Sequence, residues 1–484
     1  MSLGFQPHDA LIHSQRRWPT DVLPLLETYA RIPNQSPAYD AQWESAGHME
    51  AAADLFAAWA RARAIPGAVV EVVRIPGLTS TVLVDVPASH PEVHGTVLVY
   101  GHYDKQPPFE GWSKGRGPWT PVIEGDRLYA RGVADDGYAL PSALLALECL
   151  IAAGGRHGRC VVMAEGSEES GSPHLPDVLA HLDDRMGVPD MVVALDSSSP
   201  TYDRLWITTS LRGVIGGTLT VRVLEHGVHS GLAGAVVPSS FRIARSLLDR
   251  IEDAATGDML LPELRADPPP GAKAAADALA DALAGARVEE GPDAAPFPVV
   301  DGLVLQGADP AERAMRSAWL GSLAVVGAAG LPPVAEAGNV LRPSTALKLA
   351  IRIPPTSDPD AAADAVRRAL TTDPPHGAAV EWSHVEAAGG WAAPPFTPWL
   401  AAALDDASMA CFGQPSAQVG EGGTIPFMGW LAARFPEAQI LATGVLGPGS
   451  NAHGPDESLH MPTAERITAS LAVLLDAHAR RPPA

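Results

Sequence analysis

Glu168 and Glu169 stand side by side in Ala164-Glu-Gly-Ser-Glu-Glu-Ser-Gly171, just after the apolar run Cys160 to Met163. Adjacent side chains on an extended segment diverge, so one glutamate can grip a metal ion while the other takes a proton. Gly166 and Gly171 supply the turns that expose both. An isolated Glu-Glu pair is ordinarily a solvated acidic loop; what decides is the company it keeps. Gly101-His-Tyr-Asp104 sets an imidazole and a carboxylate on one face of an extended segment. His102 can then ligate a metal while Asp104 fixes its orientation. In Arg131-Gly-Val-Ala-Asp-Asp-Gly137, ahead of a helix-forming stretch, either Asp135 or Asp136 can be a ligand, and Asp136 can equally be an N-cap. Asp196 follows the apolar run Met191 to Leu195, and Asn451-Ala-His-Gly-Pro455 places His453 in a glycine-rich loop. Together these donors form a nitrogen-and-oxygen set without sulfur, suited to zinc, or to manganese or cobalt. Two histidines and three carboxylates suffice for two metals sharing a carboxylate, about 3.5–4 Å apart in two-metal hydrolases. Glu168 is the carboxylate left over, available to activate water.

The elements that must position these groups read as an α/β sheet. Val69–Val73, Ser80–Val86 and Thr96–Tyr100 are strand-like, Ala139–Ala153 is helix-forming, and Cys160–Met163 and Met191–Leu195 are short apolar strands. Three of these strands run into histidine or acidic residues, and ligands gather beyond the carboxyl ends of strands in such sheets. Helical periodicity covers residues 20–31 and 46–64. Near Arg212 the pattern changes: Gly216–Leu224 and Ala346–Ile353 alternate as half-exposed antiparallel strands do, with helices at Pro238–Ile251 and Asp358–Thr371. An alanine-rich stretch, Ala272–Ala286, reads as a surface helix. After Trp391 the chain returns to helix and apolar strand, with Pro398–Phe412, Ala438–Val445 and a closing helix Thr463–Arg480. This predicts a catalytic domain of residues 1–211 and 385–484, interrupted by a small α+β domain at 212–384.

A chain of 484 residues exceeds one ordinary core, and 46% hydrophobic with 19% charged residues is a globular composition. A net charge of −22 argues against a nucleic-acid partner. Cys149, Cys160 and Cys411 form no CxxC pair, which suits a reducing, cytoplasmic compartment. The first 17 residues lack an apolar signal region, and no long apolar run suggests a membrane span. His157, His174, His181, His226, His376 and His384 read as surface or structural, Cys160 as core, and Ser197-Ser-Ser199 lacks a nucleophile elbow.

In order, GHYD, ARGVADDG, EGSEESGS, a strand ending in Asp196, VHSG, an asparagine-to-arginine segment and NAHG resemble one family. It is the di-zinc metallopeptidase family of carnosinases, carboxypeptidase G, aminoacylases and succinyl-diaminopimelate desuccinylase. Asp196, where the carboxypeptidase and aminoacylase branch has glutamate, makes the chain most similar to the cytosolic nonspecific dipeptidase branch. The resemblance implies a three-layer catalytic domain with a mixed sheet and an inserted domain that dimerises and closes as a lid. It implies that His102 and Asp196 hold one metal and Glu169 and His453 the other. Asp135 would bridge them through a residue joined to Asp136 by a cis peptide. Asp104 would orient His102, and Glu168 would be the general base. His229, in Val228-His-Ser-Gly231, would reach into the partner subunit and stabilise the oxyanion. Asn339 and Arg352 would contact substrate, Arg352 at its terminal carboxylate, and Gly423 and Thr424 would line the pocket. The expected reaction is amide hydrolysis of dipeptides by a homodimer with two divalent ions, zinc foremost. N-acyl-amino-acid deacylase, carboxypeptidase and desuccinylase share that centre, and a silent metal-binding scaffold is the rival of another class. One departure is Gly137-Tyr138 where the family has a lysine after the paired aspartates, which bears on loop shape and substrate preference.

Overall fold

The computed structural model describes residues 5–290, 299–300 and 302–482. A nine-stranded mixed sheet forms its centre. In spatial order it runs Val69–Val73, Thr81–Val86, Arg159–Glu165, Thr96–His102, Met191–Ala194, Gln439–Ala442, Trp206–Leu211 and Trp391–Ala392, with Ala417–Glu421 also paired to Trp206–Leu211. The middle pairs are parallel, with His102 in register with Glu165 and Tyr100 with Ala194, so these strands end together on one edge. Alternation along each strand builds three layers. Val97, Val99, Val162 and Val193 face a core shared with the helices His48–Arg61, Ala139–Ala152, Pro398–Cys411 and Met461–Arg480. Leu98, Tyr100, Val161 and Val192 face the opposite core, against Leu175–Met186 and Pro426–Arg434.

Arg212 alone separates Trp206–Leu211 from Gly213–Arg222, which enters a second, antiparallel sheet ordered Ser322–Ala329, Ser344–Ile353, Gly213–Arg222, Ala379–Ala388. The chain leaves this sheet at Gly389-Gly390, so its last strand runs through the expected division at 384. One face is covered: Ile215, Leu219, Leu349 and Ile351 pack against the helices Ser240–Leu248 and Pro359–Thr371. Asp358 starts the latter as its N-cap, accepting from the amides of Asp360 (2.9 Å) and Ala361 (3.1 Å). Arg352 alternates onto the opposite face.

Several elements extend or add to the sequence expectations. The helix expected at 20–31 begins earlier, as Pro7–Arg17, a π-turn Trp18–Val22 and Leu23–Ala30. Ser322–Ala329 and Ala379–Ala388 are strands where none was expected. The alanine-rich helix spans Pro270–Glu290, and it is not a free surface helix. Leu279 and Ala282 pack on Trp206, Ala417 and Val419 of the large sheet. Among the described residues, no helix is long and apolar enough to cross a membrane.

Candidate metal centre

Five chain segments deliver the acidic and imidazole side chains to the carboxyl edge of the central strands. His102 ends its strand, and a close approach allows it. A methyl group on Gly101 would collide with Ala139 and the Asp136 carboxylate, so only glycine lets the Asp136 Oδ2 accept the His102 amide at 3.2 Å. Asp136 thus spends Oδ2 on the backbone and is not the N-cap; Tyr138 takes the cap position. The Asp135–Asp136 peptide is cis, as expected. Asp135 faces both histidines, with Oδ1 3.1 Å from His102 Nε2 and Oδ2 2.9 Å from His453 Nε2. His453 Nε2 is also 3.1 Å from Glu169 Oε2. On the other side, His102 Nε2 lies 3.8 Å from Asp196 Oδ2 and 3.9 Å from Glu168 Oε2. Ligand atoms of His102, Asp135 and Glu169 lie within 4.8 Å of one another, as do those of His102, Glu168 and Asp196.

The far side of the His102 ring meets Asp104, whose Oδ1 is 3.3 Å from Nδ1. The same carboxylate accepts the amides of Glu168 (3.1 Å) and Glu169 (3.0 Å), so Asp104 orients the imidazole and pins the short 3₁₀ turn Glu168–Ser170 at once. The other loops are braced by residues the motifs did not suggest. Gln106 Nε2 donates to Glu169 Oε2 at 2.6 Å. Buried Glu457 pairs with Arg131 at 2.7 Å, and its Oε1 accepts the amides of Gly132 (2.9 Å) and Ala134 (3.2 Å). The one sequence signal for them is nearness, Gln106 two residues past Asp104 and Glu457 four past His453, which says nothing of what they touch. At Gly137 a side chain would strike the Tyr29 ring and the Gly132 carbonyl, so the lysine of the resembling family has no room here. Tyr138 OH donates instead to the Leu195 carbonyl, tying this loop to the segment that carries Asp196.

Charge in this cluster is one-sided. Burial pushes the Glu168 carboxyl well above its usual range, and the Asp196 charge adds to it. Burial and Asp135 raise Glu169, and burial with the charges of Asp135 and Glu169 takes Asp196 up to about 7. Burial works against protonating His453, yet its hydrogen bonds to Asp135 and Glu169 lift it to about 11. Burial likewise opposes protonated His102, and Asp104 and Asp135 outweigh it. Carboxylates converging in a buried site, with imidazole nitrogens between them and no lysine or arginine among them, fit divalent cations.

The remaining expected site residues fall in two other places. Arg352 Nη1 donates to Thr424 Oγ1 at 2.7 Å, and Gly423 lies exposed beside them. His229 is paired with Val340, and the Ser230 amide donates to the Asn339 carbonyl at 3.0 Å, which brings His229 and Asn339 together. Both are exposed, and among the described residues the His229 side chain bonds only within its own turn, Nδ1 accepting from the Gly231 amide at 3.1 Å. Within one chain neither joins the carboxylate cluster.

Comparison with known proteins bears on the family and the fold. The family described as Peptidase family M20/M25/M40 matches residues 98–477. The cysteinylglycine-S-conjugate dipeptidase of Corynebacterium striatum is 27% identical over 393 residues, covering 78% of this chain and 80% of that protein. The succinyl-diaminopimelate desuccinylase of Gluconobacter oxydans is 32% identical over 142 residues, 29% of this chain and 35% of that protein. Among solved structures, the di-peptidase Dug1p from Saccharomyces cerevisiae superposes with a TM-score of 0.76 at 21% identity, covering 99% of this chain and 100% of that one. Human carnosine dipeptidase 1 gives 0.75 at 20% identity, covering 98% and 99%. Because the family match spans the strand ends, the glutamate pair and the His453 loop alike, the chain belongs to peptidase family M20/M25/M40, a family of metallopeptidases.

Proposed function

We propose that the chain is a dipeptidase with two divalent ions, hydrolysing the amide bond of dipeptides or related small peptides. What supports this most is Asp135, which turns one oxygen to each of two imidazoles, as a carboxylate shared by two ions must. His102 and Asp196 would hold one ion, Glu169 and His453 the other. By donor chemistry zinc is the first choice, with manganese or cobalt as alternatives. When bound, the ions supply Lewis-acid polarisation of the scissile carbonyl and a lowered pKa for water. Glu168 takes the proton of the attacking water and returns it to the departing amine, the work of a general base that then acts as acid. Asp104 keeps the His102 ring oriented. Arg352 meets the terminal carboxylate, and Thr424 and the backbone at Gly423 line the same end of the pocket.

His229 would complete the site from a second copy by donating to the oxyanion, with Asn339 beside it on the substrate. A homodimer fits the exposed apolar side chains around that turn. Leu232 (83% exposed), Val236 (81%) and Val334 (94%) accompany Val325 and Val326 of the edge strand Ser322–Ala329. Bare apolar edges of this kind are covered in working assemblies. The division into a catalytic unit and an inserted unit, expected at 1–211 with 385–484 and at 212–384, is part of the same reading, with its second boundary moved to Gly389-Gly390 where the small sheet ends. So is a cytoplasmic location, with the three buried cysteines unpaired.

The test is metal content by mass spectrometry together with release of amino acids from a panel of free dipeptides, cysteinylglycine among them. N-acyl amino acids and C-terminally amidated dipeptides are the comparison. Two metal equivalents and hydrolysis of free dipeptides are expected, with amidated ones poor. Hydrolysis of N-acyl amino acids alone would replace this reading with the deacylase one, which the desuccinylase similarity favours.

A further inference from the structure

Arg212, the single residue between the two sheets, is spent among the described residues only on neutral acceptors. Its Nη1 donates to the Leu320 carbonyl (3.0 Å) and Ser322 Oγ (3.3 Å), and its Nε to the Gly422 carbonyl (3.3 Å). Register brings Arg352 alongside, because Ser322 pairs directly with Arg352 across neighbouring strands. Thr424 closes the ring: its Oγ1 accepts from Arg352 Nη1 at 2.7 Å and donates to the Arg212 carbonyl at 2.5 Å. Among the described residues neither guanidinium has an acidic partner, and Nη2 of each makes no hydrogen bond. Glu421, in the same segment as Gly422 and Thr424, is otherwise engaged. Its Oε1 accepts from Ser197 Oγ (2.6 Å), Ser198 Oγ (2.8 Å) and the Ser198 amide (3.1 Å).

Half-buried cations side by side without a counter-charge are costly, and the cost is relieved when an anion arrives. Burial and the neighbouring Arg352 charge bring the Arg212 guanidinium down to about 10, and burial lowers Arg352. A guanidinium presents a planar fork of donors that matches a carboxylate, and two neighbouring guanidiniums, each with an Nη2 that makes no hydrogen bond among the described residues, point to that ligand class.

We propose that Arg212 and Arg352 together receive the free carboxylate of the substrate, which makes Arg212 a second substrate-binding residue at the link between the two sheets. The proposal rests on the peptide-hydrolase reading only for the molecule that brings the carboxylate. Dipeptides and N-acyl amino acids both carry one, and their C-terminal amides do not.

The experiment measures the ratio of kcat/KM for a free acid to that for its amide, in wild type, Arg212→Met and Arg212→Lys, with both substrate classes. In Arg212→Met the ratio should fall roughly 10–100-fold, mostly through KM. Arg212→Lys should restore part of it, keeping a charge without the fork. A ratio unchanged in Arg212→Met overturns the proposal even if overall activity drops, because the residue then only braces the link. If Arg212→Met does not fold, an unchanged ratio in Arg212→Lys overturns it and a reduced ratio supports it. Wild-type activity on N-acyl amino acids alone would sink the dipeptidase reading while leaving the ratio readable. Should wild type cleave neither class, calorimetric titration with leucine against leucinamide decides, and equal binding of the two refutes the carboxylate receptor.

Discussion

The large sheet and the small one treat their functional residues in opposite ways. On the large sheet His102, Asp104, Asp135, Glu169 and Asp196 are buried, Glu168 is half-buried and His453 is the exposed exception, and the carboxylates are held by backbone amides and by one another. On the small sheet's side of the chain, His229 stands exposed on a separate two-residue strand pairing, with exposed Asn339 just before the partner strand. Burial suits groups whose partner is an ion, since convergent charge must be fixed before it can select a cation. Exposure suits groups that meet something arriving from outside. The difference teaches that holding metal should be a property of one chain, whereas turnover should need the assembly as well.

The contrast breaks first at Asp135. Asp135→Ala should empty both metal positions and take activity to background, read by mass spectrometry of the purified protein. Retention of one full equivalent would show that the two halves of the centre are independent. Glu168→Gln comes next: turnover should drop about 10²–10⁴-fold with metal content unchanged, and near-wild-type kcat would dismiss Glu168 as base. On the small sheet's side, His229→Ala should cost about 10²–10³-fold in kcat and no metal. Mixing it with the Asp135→Ala chain should recover activity in the hybrid dimer. No recovery would place His229 and the metal in the same subunit.

The smallest effect concerns neither sheet's chemistry and serves as the control. Burial, with Arg127 close by, lowers His460 to about 4. Its ring stacks on Tyr202 and its Nδ1 is 2.8 Å from Thr463 Oγ1. The folded state holds it neutral while the unfolded chain protonates it near 6.5, so its contribution is present above 6.5 and is lost as pH falls towards 4. Its share of the slope is at most about 1.4 kcal/mol per pH unit. His460→Gln should flatten the fall in Tm between those values and leave kcat at neutral pH alone; an equally steep fall would assign the slope elsewhere.

Legibility in the sequence follows the same division. Strand ends such as Thr96–His102 combine an apolar run with an abrupt change to ligand types, and both parts can be read directly. Gln106, Glu457 and Arg212 are different, because their importance lies in what they touch across distance. Glu457 matters through amides at 132 and 134, more than 320 residues earlier in the chain. Ser322–Ala329 escaped for another reason. Its Leu-Ala-Val-Val run has no alternation, and a register shift between Val325 and Gly327 blurs its period further. An edge strand with apolar residues on open faces does not look like a half-buried one. Gly137 shows the reverse case, where a departure visible in the sequence acquired its reason only from Tyr29.

The alanine-rich helix Pro270–Glu290 carries a practical consequence for anyone dissecting the molecule. By position it belongs to the insertion, but by packing it roofs Trp206, Ala417 and Val419. Gene-level excision of 212–384 would thus unroof the large sheet and leave an indole, an alanine and a valine facing water. A minimal peptidase made that way should come out sticky and oligomeric, whereas one retaining the helix on a short tether should stay dispersed. The boundary that matters for engineering lies inside the insertion, along the line where this helix changes allegiance.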